Sequence, residues 1–346
     1  MSSIIAIPPF AAEGMSGRPL RQGDRPRRIV VVRLHAFGDA VITLPLLAGL
    51  RRAYPDTRLE IITSPEYAGL FDATTLIDHV WSLRTDRSRI TRLLATLFLA
   101  TRIGPIDLFV DLQRSTQSRL LRRLVGPRAW VVFDRFAPRP ALERYHDALA
   151  WVGLEGIMPS YDIPLRPELR RRARQLLGVD DGVPLVCLNP AGCWDTKQWP
   201  IESYRRLGER FVETEGARIV LLGTENISGG AEYLRGALGT SVIDLVGRTS
   251  VAEALAIVRE LSLMVTDDSG LMHLAWTSGV PTVAIFGATR SVWSAPMGPH
   301  THCFTSEDLP CGACMQPLCA RADLLCLNRV SVDDVWNASR GTKEQG

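Results

Sequence analysis

Asp267-Asp268-Ser269-Gly270-Leu271-Met272-His273-Leu274-Ala275 follows an apolar run at residues 261–266, and this junction decides how the chain is read. The run has the pattern of a buried strand, and the residues after it have the pattern of the first turns of a helix. Two carboxylates, a hydroxyl and a glycine therefore stand where the chain leaves the carboxyl end of a strand. Free backbone N–H groups and the positive end of a helix dipole at such a point can hold an anion. In open α/β sheets that is also where ligands bind.

Outward from this junction the same alternation repeats. Strand patterns recur at 185–189, 218–222, 241–245, 261–266 and 282–286, with helical patterns at 201–214, 228–238, 251–260 and 271–278. The first half gives strands at 28–34, 58–63, 79–83, 107–113 and 129–133, the first followed by a helix over 39–53. Alternation of this kind implies parallel strands joined by crossover helices. The economical arrangement is two doubly wound domains, 28–165 and 184–340, facing a cleft and separated by a charged helix and turn at 166–183. Residues 1–27 lack a basic region ahead of their apolar patch, so they read as a mobile extension rather than a secretory signal.

The 346 residues are 46% hydrophobic, enough for two cores, and no apolar stretch reaches the roughly 20 residues needed to span a bilayer. A net charge of +3 hides an asymmetry. Residues 1–150 hold 22 Arg against 14 Asp and Glu, whereas residues 151–346 hold 18 Lys and Arg against 23 acids. The first half should attract an anionic partner. No RNA-recognition or helix-turn-helix pattern accompanies the charge, so nucleic acid is not expected.

Six segments carry candidate chemistry. The first strand ends in Arg33-Leu34-His35-Ala36-Phe37-Gly38-Asp39, with no G-x-G-x-x-G, so a usual dinucleotide fingerprint is absent. Asp39 beside a helix start reads either as a cap or as a reactive carboxylate. After 185–189 comes a glycine-containing loop with Lys197, one of only two lysines against 38 arginines, a compact charge suited to a phosphate. Glu225 beyond the strand at 218–222 suits ribose hydroxyls. Thr249 lies in a further turn where backbone can approach a ligand, though Thr249 or Ser250 can equally cap the next helix. At the opening junction, Ser269 and Gly270 suit a pyrophosphate, Asp268 suits loop amides or ligand hydroxyls, and His273 lies one turn into the helix. Cys311, Cys314, Cys319 and Cys326, within a segment spanning 303–326, are four thiols that read as a structural zinc site, as paired thiols or as a disulfide.

Three stretches carry a resemblance: RLHAFGDAVITLPLLAGLRRAYP at 33–55, NPAGCWDTKQWP at 189–200, and residues 244–289 through DLVGRTS to AIFGAT. In that order they resemble the signatures of the bacterial ADP-heptose lipopolysaccharide heptosyltransferases, glycosyltransferase family 9. The resemblance implies GT-B architecture, two Rossmann-like domains with the nucleotide-sugar mainly on the second. It also implies inverting transfer of a heptose or related sugar from an ADP-sugar to the lipopolysaccharide core or a similar anionic glycan.

By similarity, Asp39 matches the general base, Lys197 the residue that stabilises the ADP leaving group, and Glu225 the ribose ligand. Asp268, Ser269, Gly270 and His273 match the pyrophosphate and sugar region. His35 replaces a small hydroxyl residue of the family pattern, and with Gln113 and Arg114 is expected to meet the acceptor. No Asp-x-Asp motif is present, so transfer without a metal or other catalytic cofactor is expected. The implied setting is cytoplasmic, with peripheral contact at the cytoplasmic face of the inner membrane. Two rival functions are a nucleotide-sugar-binding protein without transferase activity and a nicotinamide-dependent oxidoreductase.

Overall fold

A computed structural model describes residues 14–85, 88–178 and 182–345. The chain divides into two compact units, the first ending at Pro164 and the second beginning at Leu165.

Unit 1 runs β1 (Ser16–Arg18), β2 (Arg28–Val32), α1 (Phe37–Ala53), β3 (Arg58–Thr63), α2 (Pro65–Asp72), β4 (His79–Ser82), α3 (Arg89–Ile103), β5 (Leu108–Asp111), α4 (Thr116–Val125), β6 (Ala129–Val132) and α5 (Ala141–Trp151). Its sheet has the order β1-β6-β5-β2-β3-β4. All pairs are parallel except β1 with β6, where Ser16, Gly17 and Arg18 oppose Val132, Val131 and Trp130. Ile29 to Val32 are fully buried, as expected for a strand covered on both faces.

β1 corrects the expectation of a mobile extension over 1–27. Residues 1–13 lie outside the described part, but Ser16–Arg18 are a sheet edge. The reason is steric: a Cβ on Gly17 would lie 2.2 Å from the Trp151 ring and 2.4 Å from the Trp130 carbonyl oxygen. Only glycine lets the backbone pass there.

Unit 2 begins with α6 (Pro167–Leu177) and continues through β7 (Leu185–Asn189), α7 (Ile201–Glu215), β8 (Arg218–Leu221), α8 (Ser228–Leu238), β9 (Val242–Asp244), α9 (Val251–Val258), β10 (Leu263–Asp267), α10 (Gly270–Thr277), β11 (Thr282–Ile285), α11 (Ser291–Ser294), β12 (Thr301–Phe304), α12 (Leu325–Asn328) and α13 (Val332–Gln345). The sheet order is β12-β11-β10-β7-β8-β9, all parallel. Taken in chain order this is the doubly wound 3-2-1-4-5-6 arrangement. The strand count of unit 1 is one parallel strand shorter, and β1 fills the sixth place in reverse.

The helix expected to bridge the domains is instead part of unit 2. Arg172 pairs with Glu253 at 3.1 Å and Arg174 with Glu260 at 3.2 Å, which ties α6 to α9 and the residues just after it. The core beneath β7, β8, β10 and β11 includes Trp199, Tyr204, Phe211 and Trp336, so the polypeptide after β12 returns to close it.

Candidate functional site

Each sheet reverses its winding direction once. In unit 2 this happens between β7 and β10, and in unit 1 between β2 and β5. Loops leaving the carboxyl ends of these strands diverge there and open a crevice. The sequence-assigned residues fall largely on these four loops.

In unit 2 β10 ends at Asp267, which is fully buried. Its carboxylate accepts the N–H groups of Gly192 (3.1 Å) and Trp199 (3.0 Å) and the Tyr204 hydroxyl (2.9 Å). Burial pushes this carboxyl up to about 7 against the pull of those donors. Asp267 thus clamps the loop after β7 to the end of β10. Sequence reasoning assigned it no role, because its partners lie some 70 residues away.

The clamped loop makes a single 3-10 turn, Asp195–Lys197, that presents Lys197. Lys197 Nζ lies 2.7 Å from Asp268 Oδ2, with both side chains largely buried, and 5.6 Å from the Trp194 ring centre. Thr289 also donates to Asp268 Oδ2, at 2.8 Å. Next in sequence, Ser269 is the N-cap of α10 and accepts the Met272 N–H at 3.3 Å. Asn189 Nδ2, at the end of β7, donates to Ser269 Oγ (2.8 Å) and Thr266 Oγ1 (2.9 Å), while Asn189 Oδ1 is buried with no partner among the described residues.

His273 is buried, and its Nδ1 accepts the Trp276 indole N–H at 3.1 Å. Burial lowers its pKa to about 4, only partly opposed by Asp268. The ring is therefore neutral at neutral pH and carries its proton on Nε2. Lys197, Asp268, Ser269, Gly270 and His273 form one group.

Glu225 stands one strand further along, after β8, and Thr249 two strands along, after β9. Glu225 is exposed in a 3-10 turn after β8, and its Cγ lies where a Cβ on Gly247 would approach to 3.0 Å. Gly247 has φ +69 and donates its N–H to the Gly223 carbonyl at 2.9 Å, which joins the two loops. The helix after Thr249 is capped by Ser250 through a reciprocal bond with Glu253, so Thr249 is not the cap.

In unit 1 the side chain of Asp39 does not cap α1. The N-cap is Ala36, at φ 65, and no side chain bonds the helix start. Asp39 instead pairs through Oδ2 with Arg33, whose guanidinium is almost fully buried, also reaches the Leu112 carbonyl, and lies 6.0 Å and 5.8 Å from the Phe133 and Tyr145 ring centres. The Asp39 side chain keeps 34% exposure. Arg33 was missed in the sequence, although an arginine closing an apolar strand was its signal.

His35 is exposed on this loop. Gln113 Oε1 accepts the N–H groups of Leu34 (2.8 Å) and His35 (3.0 Å), so Gln113 fastens the loop from β5. Arg114 pairs with Asp134 at 3.1 Å and, with Arg119, Arg122 and Ser115, lines a cavity of about 90 Å³ whose floor includes Asp111.

The four cysteines expected to hold a structural zinc lie after β12, with Cys326 inside α12. All four thiols are free, and among the described residues no group of three or more His, Cys, Asp or Glu is placed to hold a metal ion. The segment is tied to the rest of unit 2 by hydrogen bonds. Thr196 Oγ1 donates to the Gln316 carbonyl at 2.6 Å, and the Met315 N–H to the Ala288 carbonyl at 2.8 Å. Its observed work is to brace the turn that carries Lys197.

Two Rossmann-like units fit the GT-B architecture, and solved structures place the chain there. A glycosyl transferase family 9 protein from Veillonella parvula superposes with a TM-score of 0.79 over 92% of this chain and 98% of its own, at 21% identity. The E. coli ADP-heptose lipopolysaccharide heptosyltransferase II gives 0.70 over 92% and 99%, at 16% identity. The family model for glycosyltransferase family 9 (heptosyltransferase) matches residues 128–324. This chain belongs to that family and is a glycosyltransferase. It is similar over 318 residues, at 26% identity, to lipopolysaccharide heptosyltransferase 1 of Pseudomonas aeruginosa, covering 84% of this chain and 87% of that one.

Proposed function

We propose that the chain moves a heptose, or a closely related sugar, from an ADP-sugar to an anionic lipopolysaccharide-core acceptor in one inverting displacement. The observation that carries this reading is the Lys197–Asp268 pair beside the Ser269 cap, at the point where the unit 2 sheet reverses. The names of the relatives from P. aeruginosa and E. coli support the choice of donor and acceptor.

An acceptor hydroxyl attacks the anomeric carbon and loses its proton to Asp39. The bond from that carbon to the diphosphate breaks, and ADP leaves with the electron pair. Lys197 and the N–H groups opening α10 stabilise the charge that grows on the diphosphate. Asp268 holds Lys197 in place, and neutral His273 donates from Nε2 toward the sugar. Glu225, packed over Gly247, accepts from the ribose hydroxyls, with Thr249 in the adjoining loop. In unit 1 Arg33 positions the Asp39 carboxylate. The cavity lined by Arg114, Arg119 and Arg122 receives an acidic group of the acceptor, and His35 meets its sugar.

General-base assistance contributes about 10²- to 10⁴-fold, so Asp39→Asn should lower turnover of ADP-heptose onto a heptose-free core acceptor by that order. Calorimetric binding of ADP should be unchanged, because the donor residues lie in unit 2. Unaltered turnover removes Asp39 from the reaction. Donor binding by the wild type without turnover on any core acceptor leaves a nucleotide-sugar-binding protein. Turnover is expected to persist in EDTA.

A further inference from the structure

We propose that helix α3 of unit 1 rests on an anionic lipid surface. One side of the helix is already used: Leu99 and Ile103 are buried in the core with Phe109 and Leu121. The opposite side carries Ile90, Leu93, Leu94, Leu97 and Phe98, all exposed. Their spacing of i, i+3, i+4, i+7 and i+8 makes a single stripe. Ile90 is 72% exposed, Leu94 60% and Phe98 62%. A helix on a water-facing surface would turn polar groups outward here.

Charge identifies the occupant. α3 has no acidic residue and carries Arg89 and Arg92 at its start and Arg102 at its end. The Arg102 guanidinium lies 5.3 Å from the Phe98 ring centre, on the rim of the stripe. The neighbouring α4, joined to α3 by a bond from Gln117 Nε2 to Thr96 Oγ1 at 3.1 Å, also lacks acids and exposes Arg119 and Arg123. An apolar stripe edged by arginines matches a helix lying in a membrane interface, with side chains among acyl chains and cations at headgroup phosphates. A second copy packed stripe to stripe would bring arginines together with no acid on α3 or α4 to pair them. At 15 residues α3 is too short to span, and no described helix is long and apolar enough to do so.

This contact is independent of the transfer reaction, and flotation tests it. The full chain is mixed with phosphatidylethanolamine–phosphatidylglycerol vesicles or with phosphatidylcholine vesicles. The wild type should float with the anionic vesicles and not with the neutral ones. L94S/F98S should lower the bound fraction about tenfold or more while the melting midpoint holds, since both sites are exposed. R89Q/R102Q should lose most of the binding that salt can suppress. Should the double serine variant melt early, Ile90→Ser gives the same reading. Absence of the wild type from both floated fractions, or flotation of every variant like wild type, overturns the proposal. So does a wild-type dimer that L94S/F98S returns to monomer, which assigns the stripe to a second copy.

Discussion

At the switch point of unit 1 the strand beside β2 ends in a buried aspartate, Asp111. At that of unit 2 the strand beside β7 ends in another, Asp267. Asp111 binds its own neighbours, the N–H groups of Gln113 (3.0 Å) and Arg114 (2.9 Å). Asp267 binds a distant loop, that of Gly192 and Trp199. A carboxylate holding local N–H groups shapes one turn, whereas one holding a remote loop decides whether two segments stay together. In unit 2 the remote loop bears Lys197, so the placing of Lys197 against Asp268 depends on Asp267. In unit 1 the task of joining the two switch-point loops falls to Gln113 instead.

The largest effect should come from Asp267→Ala. It strands the buried N–H groups of Gly192 and Trp199, while the Tyr204 hydroxyl can turn to the Asn189 carbonyl, already 3.3 Å away. Each stranded buried donor costs about 1–3 kcal/mol, so a loss of about 4 kcal/mol is expected in urea unfolding. ADP binding, measured calorimetrically, should weaken with it. A variant of near wild-type stability that binds ADP normally would break the comparison, because the remote clamp would then carry nothing.

Acid sensitivity should come next, and it too belongs to unit 2. The pKa of His273 is lowered to about 4 from an ordinary 6.5. Between those values the unfolded chain binds the proton more tightly, so stability is fully present above about 6.5 and is lost as pH falls toward 4. At about 1.4 kcal/mol per pKa unit the His273 contribution is about 3.5 kcal/mol, part of it shared with the Asp268–Lys197 pair, and the Asp267 carboxyl, raised to about 7, opposes it over the same window. Relative to the wild type, His273→Gln should gain stability as pH falls through the window, as melts taken across it would show. An unchanged slope would place the acid response elsewhere.

The parts of the fold legible in the sequence are those built by local pattern. Apolar runs at 28–34, 107–113, 185–189 and 261–266 become β2, β5, β7 and β10, and the loops after them hold the site. β1 was not legible, since three residues carry no alternation and its place depends on the missing Cβ of Gly17. Lys197, Asp268 and Ser269 could be chosen by type and position, but their joining could not, because Asp267, Asn189 and Thr289 act across long separations. Arg33 stands close to its partner Asp39 in the sequence, but a pairing across the turn between β2 and α1 leaves no periodic signal. At the cysteines the local spacing suggests a metal, but the contacts that tie the segment down run to Thr196 and Ala288 and leave no trace in that spacing.

The smallest effect should be that of Asp111→Ala, and its size is what gives the comparison content. It removes as many backbone partners as the change at Asp267, counting the N–H groups of Gln113 and Arg114. Asp111, however, borders a cavity of about 90 Å³ that Arg114 also lines. A water needs only about 30 Å³ and a few polar partners, so it can take up the exposed N–H groups, whereas the donors around Asp267 are enclosed by Trp199 and Tyr204. The expected loss is about 1–2 kcal/mol in the same urea experiment. Because Gln113 Oε1 still holds Leu34 and His35, the loop that carries Asp39 should keep its place and turnover should fall only a few-fold. A loss equal to that of Asp267→Ala would mean that burial alone, and not the distance of the clamped loop or the access of water, sets the cost at both strand ends.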